Sequence, residues 1–252
     1  AMSGRGDDLD LISGEINLTL GRLGALVEAM RQVSADIAHE LRTPLNRLRI
    51  HIEQAARNAA ASAPVEDDLA AAIAQSEAIE QTFSALLRIA QIEAGARREK
   101  FALVDLAALL GDVGDVYAGV AEDAGQTLLC DVAGAAWVMG DKELLTQTFA
   151  NLIENAIRHC PAGTAITCRV RADGNRVMAS VSDTGPGIPA GERELVLRRL
   201  YRLEKSRTTE GTGLGLSLVK AVADLHGAEL ALTDAKPGLR VEMRFARIVG
   251  AS

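Results

Sequence analysis

The feature that most constrains the fold is a row of apolar residues near the start of the chain, repeated in steps of three and four. Its members are Leu9, Ile12, Ile16, Leu20, Leu23, Val27, Met30, Val33, Ile37 and Leu41. This spacing puts all of them on one face of an α-helix, as in a coiled-coil seam. A helix running from Leu9 to about Arg57 without a clear cap favours a dimeric coil. The alternative is a single amphipathic helix packed on a globular core.

A second helix is predicted from Glu66 to Ala94, after a loop at residues 58–65, and Gly95 suits its C-terminal cap. Its apolar stripe consists of Leu69, Ile73, Ser76, Ile79, Phe83, Leu86 and Ala90. A hairpin of two helices with one stripe each cannot bury both stripes by itself. Two copies that form a four-helix bundle would bury them, so this half of the sequence predicts a homodimer.

One short stretch of the first helix, HELRTP, combines three reactive side chains with a proline. His39 and Thr43 are four residues apart and share a helix face, and Glu40 is next to His39 but points about 100° away from that face. Pro44 removes a backbone donor, so the helix is expected to bend there. A nucleophile next to a base favours chemistry on the helix surface. It is not the zinc motif HExxH, and the structural alternative is an ordinary helix histidine followed by a kink.

After a polar hinge at residues 96–100, the pattern changes to an α+β domain with helices on a mixed sheet. Asp173-Gly174-Asn175 is a strong hairpin signal. The predicted strands are 101–104, 127–132, 137–139, 166–172, 176–182, 229–233 and 240–245, and the predicted helices are 106–122, 142–160 and 214–226.

Composition excludes several classes of protein. The net charge of −7 argues against a general nucleic-acid-binding surface. The three cysteines have no metal-ligand spacing, which indicates a reducing compartment without a disulfide framework. No run of 18 apolar residues is present, so no membrane span is expected within this sequence.

The helix predicted from residue 142 carries two asparagines that suit a metal or phosphate site. Asn151 and Asn155 leave the same helix face, and amide oxygens are suitable ligands for Mg²⁺. Arg158 and His159 follow one turn later, where phosphates could lie. An asparagine pair that arose by chance is the alternative.

Two glycine-rich motifs follow. Asp183 stands directly after a predicted strand, where its carboxylate can accept from an exocyclic amine, and Gly185 and Gly187 let the backbone approach a flat ring. The run Gly211-Thr212-Gly213-Leu214-Gly215 opens a helix, whose N-terminal amides favour phosphate. The run matches neither the Rossmann fingerprint nor the P-loop. An ordinary turn is the alternative for the first of these motifs.

The order of these motifs behind a hairpin that carries HELRTP resembles the sensor histidine kinases of two-component systems. Residues 31–95 are similar to the dimerisation and histidine-phosphotransfer domain, and residues 101–248 to the Bergerat-type ATPase domain shared with gyrase and heat-shock chaperones. Residues 1–30 resemble, less specifically, the closing helix of a HAMP linker. The resemblance implies a multi-domain fold, in which an all-α hairpin forms a dimeric four-helix bundle ahead of the α+β ATPase domain.

The resemblance also implies roles for individual residues. His39 would be the phosphoacceptor, Glu40 the general base, and Thr43 the residue that positions water for a phosphatase reaction. Asn155 would hold Mg²⁺. The other nucleotide contacts would be Asn151, Arg158, His159, Asp183, Gly185, Gly187, Arg202, Lys205, Gly211, Thr212, Gly213, Leu214 and Gly215.

The stretch from Ile188 to Glu210 resembles the lid of the ATPase domain, and the resemblance implies that Arg207 would be a further phosphate contact on it. The family usually has phenylalanines just ahead of its lid arginine. Here leucines precede Arg202 in the stretch LVLRRLYR, residues 195–202.

The resemblance therefore implies an ATP- and Mg²⁺-dependent protein-histidine kinase that passes its phosphoryl group to an aspartate of a response regulator. The alternatives are a Bergerat-fold ATPase clamp and a pseudokinase scaffold. We expect a homodimer that binds a receiver domain and no nucleic acid. We also expect a cytoplasmic chain whose full-length protein has an upstream sensor anchored in the inner membrane.

Overall fold

A computed structural model describes residues 42, 44–95, 97–132, 134–203 and 213–248. Six predicted site residues lie outside these ranges, namely His39, Glu40, Thr43, Lys205, Gly211 and Thr212, as do Arg207 and the predicted seam from Leu9 to Leu41. The chain divides into two compact units, with the boundary between Ala94 and Gly95.

The first unit contains two helices joined by a short turn. Helix α1 includes residues 44–60, and α2 spans Glu66–Glu93. The amide of Asn58 donates to the carboxylate of Asp68 at 2.7 Å, which ties the two sides of the turn together. Gly95 follows α2 with φ +71°, the left-handed conformation expected of a glycine that ends a helix. The predicted helical hairpin is confirmed.

Helix α2 has two apolar faces, and only one of them is covered. Its buried residues are Ala72, Thr82, Leu86, Ile89 and Ile92. The predicted stripe runs differently, because its members Leu69, Ile73 and Phe83 are 48%, 61% and 41% exposed. Within one copy of the chain these three side chains therefore remain in contact with solvent.

The second unit is a layer of helices on a five-stranded mixed sheet, as the sequence predicts. The sheet order is β2-β4-β5-β7-β6; β2 and β4 are parallel and the other neighbours antiparallel. Strands β1 and β3 form a separate antiparallel pair. The strands are β1 Ala102–Asp105, β2 Thr127–Val132, β3 Trp137–Gly140, β4 Ala165–Asp173, β5 Arg176–Asp183, β6 Glu229–Asp234 and β7 Leu239–Ala246, and the helices α3 Leu106–Asp123, α4 Lys142–His159 and α5 Gly215–Leu225.

Aspartates fix where two of the helices begin. Asp105 precedes α3 and accepts from the backbone amide of Ala107, and Asp141 precedes α4 and accepts from the amides of Glu143 and Leu144. Each aspartate satisfies amides that the first helical turn leaves without an intrahelical acceptor. These caps place the start of α4, and with it the asparagines further along that helix.

The start of α4 is also held by a cluster of charged and aromatic side chains. The Arg97 guanidinium donates to Asp141 at 2.8 Å, and the Nε2 atom of His226 accepts from the Asp141 backbone amide at 3.0 Å. The other ring nitrogen of His226 bonds to the Val222 carbonyl at 2.8 Å. The ring stacks on Phe101 with centroids 4.6 Å apart. Because one nitrogen must accept, this arrangement requires a neutral His226.

The core of the second unit orients α4. Leu145, Phe149 and Ile153 are all fully buried on one side of that helix. Asn151 and Asn155 are only half-buried. Burial of the apolar face thus leaves the polar face of α4 available to a ligand.

The part of the chain that the structure describes contains no helix long and apolar enough to cross a membrane.

Candidate nucleotide site

Asp183, the last residue of β5, is held in place by backbone amides. One of its oxygens, Oδ1, accepts from the amide of Gly185 at 2.9 Å and from that of Leu239 at 3.3 Å. The residue is 8% exposed. The carboxylate is therefore fixed by the backbone, and its second oxygen is the atom left to meet a ligand.

Glycines allow the backbone to pack closely around Asp183. A Cβ on Gly238, which has φ +101°, would lie 1.8 Å from the carbonyl oxygen of Asp183. A Cβ on Gly187, with φ +67°, would lie 3.0 Å from the carbonyl oxygen of Gly238. Both conformations and both contacts require glycine. The structure thus brings Gly185 and Gly187 together with Asp183, as the motif suggests.

Cys160, at the C-terminal end of α4, reaches the same place. A Cβ on Gly185 would lie 2.3 Å from the sulfur of Cys160 and 3.0 Å from Oδ1 of Asp183. Burial, together with the charge of Asp183 and a hydrogen bond to it, raises the pKa of the Cys160 thiol to about 12. The cysteine is therefore a neutral thiol in contact with a carboxylate.

The asparagine end of the site lies against the start of α5. A Cβ on Gly215, the first residue of α5, would lie 3.2 Å from Nδ2 and 3.5 Å from Oδ1 of Asn155. Asn151 lies one turn earlier on α4 and is half-buried. An amide side chain and a helix N-terminus therefore meet here, a combination that suits a phosphate with its metal ion.

Two arginines lie near His159 at the end of α4. Burial lowers the pKa of His159, and the positive charges of Arg158 and Arg202 lower it further. Arg202 belongs to the segment that the sequence identifies as the lid, so the structure brings that segment to the last turn of α4. Arg158 and Arg202 thus place two positive charges near the imidazole of His159, whose lowered pKa favours its neutral form.

A hydrogen bond joins the lid segment to the residues just before α5. The amide of Leu200 donates to the carbonyl of Gly213 at 3.0 Å, although Leu200 has the unusual φ of +61°. A Cβ on Gly213 would lie 3.0 Å from the Cγ of Arg202. Leu214 is buried and accepts from the Ser217 hydroxyl at 2.9 Å, which fixes the start of α5.

The structure also identifies site residues that the motifs do not contain. Cys160, Gly238 and Leu239 all contact Asp183 or its flanking glycine. The only local signal for Gly238 is its place in a Lys-Pro-Gly turn before a strand. Nothing local marks Cys160, because its contact with Asp183 arises only when the end of α4 packs beside the end of β5.

Two family models match the chain in the order that the motifs suggest. Residues 29–95 match the His Kinase A (phospho-acceptor) domain. Residues 140–247 match the histidine kinase-, DNA gyrase B- and HSP90-like ATPase. The first match contains His39, and the second contains all three nucleotide motifs.

Curated relatives carry both regions. The sensor protein kinase PmrB of Pseudomonas aeruginosa is 34% identical over 230 residues, which cover 91% of this chain and 48% of that protein. The signal transduction histidine-protein kinase/phosphatase MprB of Mycobacterium tuberculosis is 34% identical over 240 residues, covering 92% and 46%. The chain therefore spans about half the length of the curated relatives it matches.

A solved structure described as the mycobacterial sensor histidine kinase MprB is similar to the chain with a TM-score of 0.50 and 26% identity. The similarity covers 58% of this chain and 97% of that one. From the two domain matches, these relatives and the fold, we conclude that the chain belongs to the sensor histidine kinases of two-component systems.

Proposed function

We propose that this protein is an ATP-dependent histidine kinase that phosphorylates its own His39 and passes the phosphoryl group to an aspartate of a response-regulator receiver domain. The observation that carries the proposal is the presence, in one chain, of a phospho-acceptor match that contains His39 and an ATPase match that contains Asp183. An ATP-binding domain alone would not need the phospho-acceptor helix.

Asp183 is proposed to recognise the adenine. Its backbone hydrogen bonds leave one carboxylate oxygen to accept from the exocyclic amine. The close packing at Gly185 and Gly187 supports this role, because a flat ring can then lie against bare backbone. The free carboxylate oxygen is thus the feature that supports adenine as the ligand.

The phosphates are proposed to lie between α4 and the start of α5. Asn155 would ligate Mg²⁺ through its amide oxygen, with Asn151 beside the phosphates. The phosphate contacts would be Arg158, His159, Arg202, Lys205 and the backbone of Gly211, Thr212, Gly213, Leu214 and Gly215. The contact between Asn155 and Gly215 supports this arrangement. When bound, Mg²⁺ supplies charge neutralisation on the phosphates.

His39 is proposed to act as the nucleophile. One nitrogen of its neutral imidazole attacks the γ-phosphorus of ATP, a nitrogen–phosphorus bond forms, and ADP leaves with the electrons of the broken oxygen–phosphorus bond. Glu40 accepts a hydrogen bond from the other ring nitrogen and stabilises the cation that develops. An unperturbed histidine pKa of about 6.5 keeps most of the imidazole neutral near pH 7.5.

The hairpin is proposed to form the dimer, with residues 1–30 as a linker helix, 31–95 as the phosphotransfer domain and 101–248 as the ATPase domain. The exposed stripe of α2 supports a second copy of the chain as its partner. An upstream sensor anchored in the inner membrane completes the proposal for the full-length protein.

A phosphatase activity towards the regulator is proposed for the same helix. Thr43 follows His39 by four residues, one turn of the predicted helix, and its hydroxyl could orient a water molecule towards a phosphoaspartate. Glu40→Ala should therefore mainly reduce autophosphorylation. Thr43→Ala should spare autophosphorylation and reduce dephosphorylation of the regulator. Equal losses of both activities in the Thr43 variant would make Thr43 structural only.

The test of the proposed function is incubation with γ-labelled ATP and Mg²⁺, followed by acid treatment. We expect a label that acid removes, as for phosphohistidine, and that moves to a receiver domain added afterwards. ATP hydrolysis without label on the protein would indicate an ATPase clamp. ATP binding without hydrolysis or label would indicate a scaffold.

A further inference from the structure

Gln126 lies in the turn between α3 and β2 and is 4% exposed. Its backbone amide donates to the carbonyl of Ala121 at 2.8 Å, and the amide of Gly125 donates to that of Glu122 at 2.8 Å. Gly125 has φ +70°. These two bonds form the Schellman motif that ends α3. The backbone of Gln126 is therefore fixed by α3, and its side chain is inside the domain.

The side chain of Gln126 bonds to the end of a different helix, α4. Its amide nitrogen donates to the carbonyl of Cys160 at 2.7 Å and to that of Ile157 at 3.1 Å, with the Pro161 carbonyl at 3.4 Å. Carbonyls in the last turn of a helix lack partners within the helix, and Pro161 has no N–H with which to reach Ile157 four residues earlier. Gln126 supplies the donor that this turn needs.

The two shorter bonds lie on either side of Arg158 and His159. Ile157 precedes this pair and Cys160 follows it, so one amide group holds the backbone at both ends of the pair. Both side chains are exposed, and the proposed function assigns both to the phosphates. The direction in which they leave the helix depends on this backbone, and therefore on Gln126.

Other hydrogen bonds close the loop after α4 without the side chain of Gln126. The backbone amide of Thr127 donates to the carbonyl of Thr164 at 3.0 Å. The hydroxyl of Thr164, which is also buried, donates to the Pro161 carbonyl at 2.8 Å. Neither bond reaches back to α4. The loop therefore keeps these anchors when the side-chain amide of Gln126 is removed, whereas the end of α4 loses the bonds that fix it.

We propose that Gln126 is a positioning residue for the phosphate end of the nucleotide site, because its side-chain amide fixes the backbone that presents Arg158 and His159. This inference rests on the proposed binding of ATP between α4 and α5. It adds a residue outside the three nucleotide motifs that acts through two residues inside the site. Because the adenine is proposed to meet Asp183 at the end of β5, loss of the Gln126 amide should weaken binding of the phosphates more than binding of the base.

The test compares equilibrium binding of ATP with Mg²⁺ and of adenosine to the full chain, with ATP measured by calorimetry and adenosine by competition against ATP. Gln126→Met preserves most of the side-chain volume but cannot donate a hydrogen bond. ATP binding should weaken about 10-fold, because both phosphate contacts lose their fixed position. Adenosine binding should stay within about 2-fold of the original protein, so the preference for ATP over adenosine should narrow.

A double-mutant cycle separates positioning from general stability. In a protein that already carries Arg158→Gln and His159→Gln, the phosphate contacts that Gln126 positions are absent. Gln126→Met should then weaken ATP binding by less than about 2-fold. A purely structural role would cost the same in both backgrounds.

Thr164→Val is the matched control, because Thr164 is as deeply buried as Gln126 and its hydroxyl bonds to the same Pro161 carbonyl. It should lower the free energy of unfolding, as the loss of a buried hydrogen bond does, and leave the ratio of the two affinities unchanged. If Gln126→Met does not fold, Gln126→Asn keeps an amide that is one methylene too short to reach both carbonyls of α4 and should show the same narrowed ratio.

Four results would overturn the inference: unchanged ATP binding in Gln126→Met, equal losses for ATP and adenosine, the same narrowed ratio in Thr164→Val, or the same loss of ATP binding with and without Arg158 and His159. Binding is measured without phosphoryl transfer, so the two proposals fail separately. A protein that binds ATP but does not label His39 would contradict the proposed function alone. A protein that does not bind ATP would overturn both.

Discussion

The two units of this chain differ in how many of their large apolar side chains are exposed to solvent. Seven of the twelve large apolar side chains that are exposed among the described residues lie in the helical unit, which is the smaller of the two. The other unit has the remaining five, and its core includes Phe149, Leu145, Ile153 and Ile166, which are fully inaccessible. The α/β unit thus completes its core within one chain, whereas the helical unit leaves an apolar surface exposed, which supports the proposed dimer.

This difference matches the proposed division of work. A nucleotide site needs side chains held to within a fraction of an ångström, which a dense core provides. A phosphotransfer helix must meet an ATP site and then a receiver domain, so its reactive face has to stay accessible. Substitutions in one unit at a time test whether the two units divide the work in this way.

The largest expected effect is on the oligomeric state. Ile73 is 61% exposed on the predicted stripe of α2, and Ile73→Asp should place a charge in the dimer core. We expect the dimer dissociation constant to rise at least about 100-fold, since a buried unpaired charge costs several kcal/mol. Sedimentation at micromolar concentration measures it.

Val116→Asp is the control for this effect. Val116 is 72% exposed, but it lies on α3 of the other unit. This variant should remain a dimer. If both variants stay dimeric, or if the unchanged chain is a monomer, the apolar face of the hairpin is not the dimer interface.

The next effect concerns the nucleotide. Asp183→Asn keeps the shape of the side chain and an oxygen for the amides of Gly185 and Leu239. It replaces the free carboxylate oxygen with a donor that faces the adenine amine. We expect ATP binding to weaken about 10- to 100-fold. Inosine triphosphate should be affected less. The exposed Asp173→Asn is the control, and equal binding by both variants would remove Asp183 from the site.

The density of the second unit can be tested with two glycines of α3. A Cβ on Gly114 would lie 2.1 Å from the sulfur of Cys130, whereas nothing lies within 4 Å of one on Gly119. Gly114→Ala should reduce the free energy of unfolding by about 1–3 kcal/mol through overpacking. Gly119→Ala should increase it by about 0.5–1 kcal/mol, because alanine favours helix.

The fluorescence of Trp137, the single tryptophan of the chain, reports unfolding of this unit in urea. Adding Cys130→Ala to Gly114→Ala should recover part of the lost stability by removing the clash. Equal stabilities of the two alanine variants would mean that α3 adjusts freely and that the core is less dense than described.

The smallest effect is a pH dependence of the same unit. Burial lowers the pKa of His226, which faces Asp141, Arg98 and the ring of Phe101, and burial also lowers that of His159. Between the folded and unfolded pKa values, these histidines therefore bind more protons in the unfolded chain than in the folded chain. With respect to these two groups, the free energy of unfolding should be highest above the unfolded histidine pKa of about 6.5. It should fall as the pH drops below that value.

Urea midpoints of Trp137 fluorescence at pH 7.5 and 5.5 measure this decline. It should be smaller in His226→Gln and smaller still when His159→Gln is added. A decline that is unchanged in the double variant would assign the pH dependence to other groups.

Local signals in the sequence were sufficient for most elements but not for the contacts between distant ones. Helices α3 and α4 begin at the predicted residues because Asp105 and Asp141 cap them, and β4 and β5 pair through the predicted Asp173-Gly174-Asn175 turn. The predicted α+β fold and the family are confirmed. The roles of individual site residues remain predictions.

What the sequence could not show depends on packing. The parallel pairing of β2 with β4 sets Cys130 opposite Cys168, which no periodicity reveals. Gly238 packs against Asp183 from 55 positions further along the chain, and Cys160 reaches Asp183 only through the end of α4. Register and helix placement decide such contacts, and both are properties of the whole domain.

The central claim is that the second unit delivers a phosphoryl group from ATP to one histidine of the first. The most direct measurement compares His39→Gln with His51→Gln, a second histidine of the hairpin, in both ATP binding and labelling by γ-labelled ATP. We expect both variants to bind ATP like the original protein, and only His39→Gln to lose the acid-labile label. Retention of that label in His39→Gln, or its loss in His51→Gln alone, would contradict the account.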